Sequence, residues 1–206
     1  MKSQKPCLIG IAGPSGSGKS MLAGNLAGAL HLSPSAVISL DSYYRDQSHL
    51  SPAEREKINF DAPDTIDSDL LARQLRALSC GEAVDKPVYL FATHTRDRRT
   101  ERIVSAPYVI VEGLFAFHWE EIRRFFSLKI FVTAPDEICF SRRKERDLRE
   151  RARSLESIAS QYNETVRPMT ERYILPTQNY ADLIISGEAA LQHSTSLILA
   201  HLGKGR

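Results

Sequence analysis

The stretch "CLIGIAGPSGSGKS", Cys7 to Ser20, joins a short apolar run to a glycine-rich turn. "CLIGIA" has the length and composition of a buried strand. Beyond the turn, Leu22, Leu26 and Leu30 recur at four-residue spacing, which predicts a helix over 18–30 with one apolar face. The turn itself, Gly13, Pro14, Ser15, Gly16, Ser17, Gly18, Lys19 and Ser20, satisfies G-x-x-x-x-G-K-[ST] in full. Its glycines let the backbone wrap with N–H groups aimed inward, a cradle for polyphosphate. Lys19 supplies a point charge to the β- and γ-phosphates, and the Ser20 hydroxyl is placed to ligate Mg²⁺. With Met21, these residues form the expected ATP-binding set. A strand before the motif and a helix after it are the context that it requires.

The same alternation continues along the chain. Residues 36–40, "AVISL", read as a second buried strand ending at Asp41, in many such sheets the neighbour of the first. Ser51 to Glu54 has the spacing of a capping box. A helix is predicted over about 67–80, with Leu70, Leu71, Leu75 and Leu78 inward and Gly81 as its stop. "KPVYLF" and "TERIV" suggest a hairpin, "YVIVEG" (108–113) and "LKIFVT" (128–133) two further buried strands. A strand at 180–186 and a helix at about 188–202 complete the pattern. Strands alternating with helices imply right-handed βαβ units and an α/β, doubly wound parallel sheet with flanking helices. Ligands of such sheets bind at the carboxyl ends of the strands, where Asp41, Glu112 and the glycine-rich turn all fall.

Composition narrows the function classes. The chain has 206 residues, a formal net charge of +2, 42% hydrophobic and 25% charged residues, which suits one soluble domain. A nearly neutral balance gives no whole-protein case for nucleic acid or an anionic membrane. Apolar runs are too short to span a bilayer, and glycines break the one near the N-terminus that could pass for a signal peptide. Cys7, Cys80 and Cys139 have no metal or redox spacing and suit a reducing compartment, so a cytoplasmic protein is expected.

The donor is expected to be ATP. No asparagine is followed by lysine, so the N-K-x-D stretch that reads guanine in GTP-binding switches is missing, as is an L-S-G-G-Q signature. Glu112, at the end of a strand, can hold a metal-bound water or cap the next helix. Asp41 can accept the proton of an attacking hydroxyl or serve as a turn residue. In "NFDAPDTID" (59–67), Asp61 can span a vicinal diol, while Asp64 or Asp67 can cap the following helix. "PVYLFATHTR" (87–96) brings together Tyr89, Phe91, His94 and Arg96, suited to a planar heterocycle or to packing.

"RRKERDLRERAR", Arg142 to Arg153, carries seven basic and three acidic residues without proline or glycine. Arg142, Arg146, Arg149 and Arg153 fall on one helical face, and Glu145–Arg149 and Asp147–Arg151 are i, i+4 pairs, as a solvated helix has. Next to a phosphate cradle, the same guanidiniums can stabilise charge on a transferring phosphoryl group from a mobile lid.

Taken together, "GIAGPSGSGKS", "DSYYRD", "NFDAPD", "KPVYLFATHTR", "VIVEGLFAF", "KIFVTAPDE", "RRKERDLRERARSLESIASQY" and the "YADLII" that follows Pro176 resemble the uridine kinases (uridine-cytidine kinases) of the P-loop kinase superfamily, which also contains the phosphoribulokinases. The resemblance implies one P-loop NTPase-type kinase domain over 1–206, an acceptor-site hairpin at about 84–104 and an arginine-rich lid at about 142–153. It implies phosphoryl transfer from Mg²⁺–ATP to the 5′-hydroxyl of uridine or cytidine, giving UMP or CMP in pyrimidine salvage. Asp41 would be the general base, assisted by Lys19, Arg143, Arg146 and Arg151. Tyr44, Phe60, Asp61, Tyr89, Phe91, His94, Arg143, Arg153 and Gln161 would bind the nucleoside, with Asp61 on the ribose hydroxyls. Ser20 and Glu112 would hold the metal. Partners would be the nucleoside, ATP and further copies of the chain in a homotetramer inhibited by UTP or CTP, with no nucleic acid and no membrane. Leu90 departs from the family pattern, which has aspartate there, "NFDAPDTID" lacks the histidine after NFD, and Ala152 replaces a glycine. Arg142 and Arg149 match no family position and read as solvation. The alternatives are a related kinase for another ribosyl nucleoside, a sugar phosphate or pantothenate, and an ATP-dependent switch without a small-molecule acceptor.

Overall fold

The computed structural model describes residues 5–31, 37–151 and 154–204. Five parallel strands form the main sheet: β1 (Cys7–Ala12), β2 (Val37–Ser39), β5 (Tyr108–Glu112), β6 (Leu128–Thr133) and β7 (Leu183–Ser186), in the order β2-β5-β1-β6-β7. β2 therefore pairs with β5 and not with β1, against the expected neighbour relation. Burial explains the order. Val109, Ile110 and Val111 of β5 are wholly buried and suit the interior of the sheet, whereas three-residue β2 is half-buried at both ends and suits an edge. Ala36, expected to open that strand, lies outside the described residues.

Alternate residues of the strands build two cores, one per face. Leu8, Val109, Val111 and Phe131 pack with Leu71, Leu75 and Leu78 of α3 (Ser68–Ser79). Ile9, Ile11, Ile110 and Ile130 pack with Leu22 and Leu26 of α1 (Lys19–Ala29) and Ile198 of α8 (Leu191–Lys204). Local sequence fixes the helix ends. Asp67 caps α3 by accepting from the Leu70 N–H at 3.1 Å, and the Ser51–Glu54 capping box opens α2 (Pro52–Arg55).

β3 (Val84–Leu90) and β4 (Thr95–Ile103) form a separate antiparallel hairpin with an irregularity between Pro87 and Tyr89. α4 (Glu120–Arg123) precedes β6. The basic stretch is the second half of a longer helix, α5 (Asp136–Arg151). The chain then runs through α6 (Leu155–Gln161), a π-helical segment Tyr162–Val166, α7 (Arg167–Met169), a second π-helical segment Thr170–Ile174 and a 3₁₀ turn Leu175–Tyr180. That turn delays the last strand to Leu183. Among the described residues no helix is long and apolar enough to cross a membrane.

Candidate active site

The register of the sheet brings three strand ends to one edge. Ile11 and Ser39 both lie opposite Glu112, so the turn after β1, Asp41 after β2 and the last residue of β5 share that edge. The turn is held by backbone geometry. Gly16 has φ +81, and a Cβ there would stand 2.3 Å from the Cys139 carbonyl oxygen, so only glycine lets α5 approach so closely. Lys19 Nζ donates to the Pro14 carbonyl at 3.4 Å, which aims the ammonium back over the cradle.

Arg142 corrects the sequence reading. Its guanidinium donates to the carbonyls of Gly16 (3.3 Å), Ser17 (3.5 Å) and Gly187 (3.1 Å) and therefore clasps the phosphate loop to the turn after β7. It is not spent on solvation. Beside it lies a cleft of about 300 Å³, lined by Gly18, Met21, Val132, Arg142, Ile185 and Gly187 among others. Apolar walls at the end of a phosphate cradle suit the base of a nucleotide. Neither Arg142 nor the cleft was legible as a site, because their partners are backbone carbonyls and segments distant in sequence.

Glu112 is buried, with the Ser39 and Ser20 hydroxyls as hydrogen-bond partners. Burial raises its pKa most; Lys19 opposes the shift and the charge of Asp41 adds to it. Ser20, Glu112 and Asp41 thus form a cluster of oxygen donors. No group of three metal-ligating acidic, His or Cys side chains occurs among the described residues. That donor set fits magnesium, which is held by one or two carboxylates together with phosphate oxygens and waters.

The acceptor side is aromatic. Phe60 stacks on His94 at 4.3 Å between ring centroids, Tyr44 packs edge-on to Phe60 and against Tyr89, and Tyr89 meets Phe91 edge-on. Tyr89 has its pKa pushed up to about 12, chiefly by burial, with smaller contributions from the charge of Asp46 and, least of all, of Asp41. Asp41 therefore acts electrostatically on both Glu112 and Tyr89, between the phosphate end and the aromatic wall. Leu90 points outward and is exposed.

On α5, Arg143 is buried and forms an ion pair with Asp61, donates to Gln161 Oε1 at 3.4 Å and lies 3.6 Å from Asp147. Arg146 donates twice to Asp147 Oδ1, both at 3.1 Å. The buried Asp147 thus orients the two arginines before it, while the side chain of Arg151, its expected i, i+4 partner, lies outside what the structure describes. Arg149 is exposed, Arg151 ends the helix, and Arg153 lies outside the described residues.

The sequence profile of the phosphoribulokinase / uridine kinase family matches residues 8–191. The chain belongs to this family. It is a kinase, with ATP as phosphate donor. It is 45% identical over 186 residues to a uridine kinase of Lactobacillus johnsonii, covering 90% of this chain and 88% of that one. It is 42% identical over 200 residues to a uridine kinase of Chloroflexus aurantiacus, covering 97% and 96%. In fold it is similar to the crystal structure of a Silicibacter kinase assigned to a fructose transport system, with a TM-score of 0.70 at 23% identity over 89% of this chain and 91% of the other.

Proposed function

We propose that the protein phosphorylates the 5′-hydroxyl of uridine or cytidine. The observation that carries this reading is the place of Asp41, whose charge reaches Glu112, which Lys19 also reaches, on one side and Tyr89 in the aromatic pocket on the other. ATP lies with its base in the cleft beside Arg142 and its phosphates in the turn from Gly13 to Ser20. Phe60, His94, Tyr89 and Phe91 face the pyrimidine, and Asp61 accepts from the ribose hydroxyls. Ser20 and Glu112 would hold a magnesium ion, which when bound neutralises charge on the β- and γ-phosphates.

Asp41 takes the proton of the 5′-hydroxyl as that oxygen bonds to the γ-phosphorus and the bond to the bridging oxygen of ADP breaks. Lys19, Arg143, Arg146 and Arg151 stabilise the charge on the transferring group, and residues 142–153 act as the lid. The nucleoside monophosphate and ADP leave, and Asp41 passes its proton to solvent. The relatives named uridine kinase over most of their length support this acceptor. We further take the chain as one cytoplasmic kinase domain over 1–206, with residues 84–104 as the acceptor hairpin and a homotetrameric assembly, which light scattering tests.

The deciding experiment couples ADP formation to an acceptor screen. Uridine and cytidine are expected to drive turnover, and Asp41→Asn to lower kcat by about 10²- to 10⁴-fold. Inert pyrimidine nucleosides with another acceptor turning over would overturn the substrate, and full activity of Asp41→Asn would remove the base.

A further inference from the structure

Arg96 is the second residue of β4, two residues after His94, and its guanidinium reaches into the segment that follows Asp41. Nε donates to the Tyr44 carbonyl at 2.8 Å, Nη2 to the Tyr43 carbonyl at 3.1 Å and Nη1 to Asp67 at 3.2 Å. Its own backbone N–H donates to Asp46 Oδ1 at 2.9 Å. One residue thus ties β4 to three places: the backbone just beyond Asp41, the side chain of Asp46, and the N-cap of α3.

The geometry of what it joins gives this its meaning. Asp41 lies in a short 3₁₀ turn, Leu40–Tyr43, held at its start by the Ser39 hydroxyl, which accepts from the Asp41 N–H at 3.3 Å. Its far end is held by Asp67, whose N–H donates to the Tyr43 carbonyl at 2.8 Å, and by Arg96 on the same carbonyl. On the hairpin side, His94 adopts a left-handed conformation, φ +53, which a non-glycine residue keeps only where its surroundings hold it. Its ring stacks on Phe60, and its Nδ1 lies 3.5 Å from the Tyr89 hydroxyl.

We infer that Arg96 is a positioning residue for phosphoryl transfer: it sets the register between the turn that carries Asp41 and the hairpin that carries His94 and Tyr89, without touching either reactant. This deepens the proposed reaction and rests on it. A planar guanidinium suits the task, because its fixed fork of donors reaches two adjacent carbonyls and a carboxylate at once, which an ammonium does not. Lys86, which donates to Ser42 at 3.2 Å and pairs with Glu101, gives the hairpin a second tether, so loss of Arg96 loosens the register without detaching the hairpin.

The test uses the full chain with Arg96→Gln and Arg96→Lys, read by steady-state kinetics with uridine and by amide hydrogen exchange. Misplacing a base by about 1 Å costs on the order of 10²-fold, so kcat of Arg96→Gln should fall about 10- to 100-fold while KM for ATP stays within about twofold. Arg96→Lys should recover part of the loss. Exchange should accelerate at residues 43–46 and 94–96 and stay unchanged in β1 and β5. Wild-type kcat in Arg96→Gln would overturn the proposal, as would loss of protection throughout the sheet, the mark of a merely structural residue. If the parent protein leaves uridine untouched, the substrate reading fails, and the exchange pattern alone then decides whether Arg96 holds the register.

Discussion

Arg143 of the arginine-rich helix and Asp61 of the acceptor loop form a buried, two-pronged ion pair, Nη1–Oδ1 at 3.1 Å and Nη2–Oδ2 at 3.4 Å, with their side chains 6% and 8% exposed. The pair joins the helix that would close over the phosphates to the carboxylate proposed for the ribose diol. Removing one charge of a buried pair is costly, though Arg143 keeps Asp147 within 3.6 Å. Asp61→Asn should therefore destabilise the fold by roughly 1–3 kcal/mol in chemical denaturation. The double variant Asp61→Asn/Arg143→Met should recover part of that stability and none of the uridine turnover. Recovery of both would place the pair outside the active site.

Glu112 couples activity and stability to pH in opposite senses. Burial raises its pKa, so the folded state favours the protonated acid; its stabilising contribution is complete at low pH and is lost as pH rises through that raised value. Above that raised value the buried carboxylate is charged and costs stability, while metal binding requires that charge. Glu112→Gln should raise Tm most at alkaline pH, by an amount that shrinks as pH falls, and should lower turnover about 100-fold or more. In the parent protein the acid limb of the magnesium-dependent rate should fall at a higher pH than an ordinary carboxylate would give. Unchanged Tm together with full activity in Glu112→Gln would remove it from the site.

What sequence could reveal divides along a physical line. "CLIGIAGPSGSGKS" and the runs at 108–113 and 128–133 carry their structure locally, in apolar periodicity and backbone requirements, and the elements occur where those predict them. Which strand lies beside which does not reside in any one run, and β2 went to the edge beside β5. Side chains that serve backbone carbonyls were equally hidden. Arg142 looked like one of many charges on a solvated helix, and Arg96 like one member of an aromatic cluster, because a carbonyl acceptor leaves no mark on the sequence at either end. Asp67 rather than Asp64 caps α3, a choice that the spacing alone left open.

Arg142 gives the sharpest contrast with Arg149 on the same helix. Its guanidinium joins three carbonyls of the phosphate loop and the turn after β7 and lines the cleft proposed for the base. Arg142→Ala should raise KM for ATP about 10-fold, as the loss of one or two charge-assisted hydrogen bonds predicts. KM for uridine should hold within about twofold, and Arg149→Ala should leave KM for ATP near the parent value. Isothermal titration with a non-hydrolysable ATP analogue checks the binding term separately. An unchanged KM for ATP in Arg142→Ala would return the residue to the solvated face.

Gly187 marks the point where the turn after β7 meets the phosphate loop. A Cβ built there would lie 1.8 Å from the Ser17 carbonyl oxygen and 3.3 Å from that of Thr133. Neither neighbour is a flexible side-chain tip, and the Gly187 N–H is held at 2.7 Å by the Thr133 carbonyl, so the turn cannot retreat without breaking that bond. Gly187→Ala must then push the Ser17 peptide and shift the cradle's inward N–H groups. Overpacking of this kind costs about 1–3 kcal/mol, and ATP affinity should fall at least 10-fold. Gly28→Ala is the matched control: it lies within α1 with nothing within 4 Å of its Cβ, and should stabilise the protein by roughly 0.5–1 kcal/mol with kinetics unchanged. Parent-like ATP binding in Gly187→Ala would show that the loop and turn part easily, and would remove this contact from the architecture of the phosphate site.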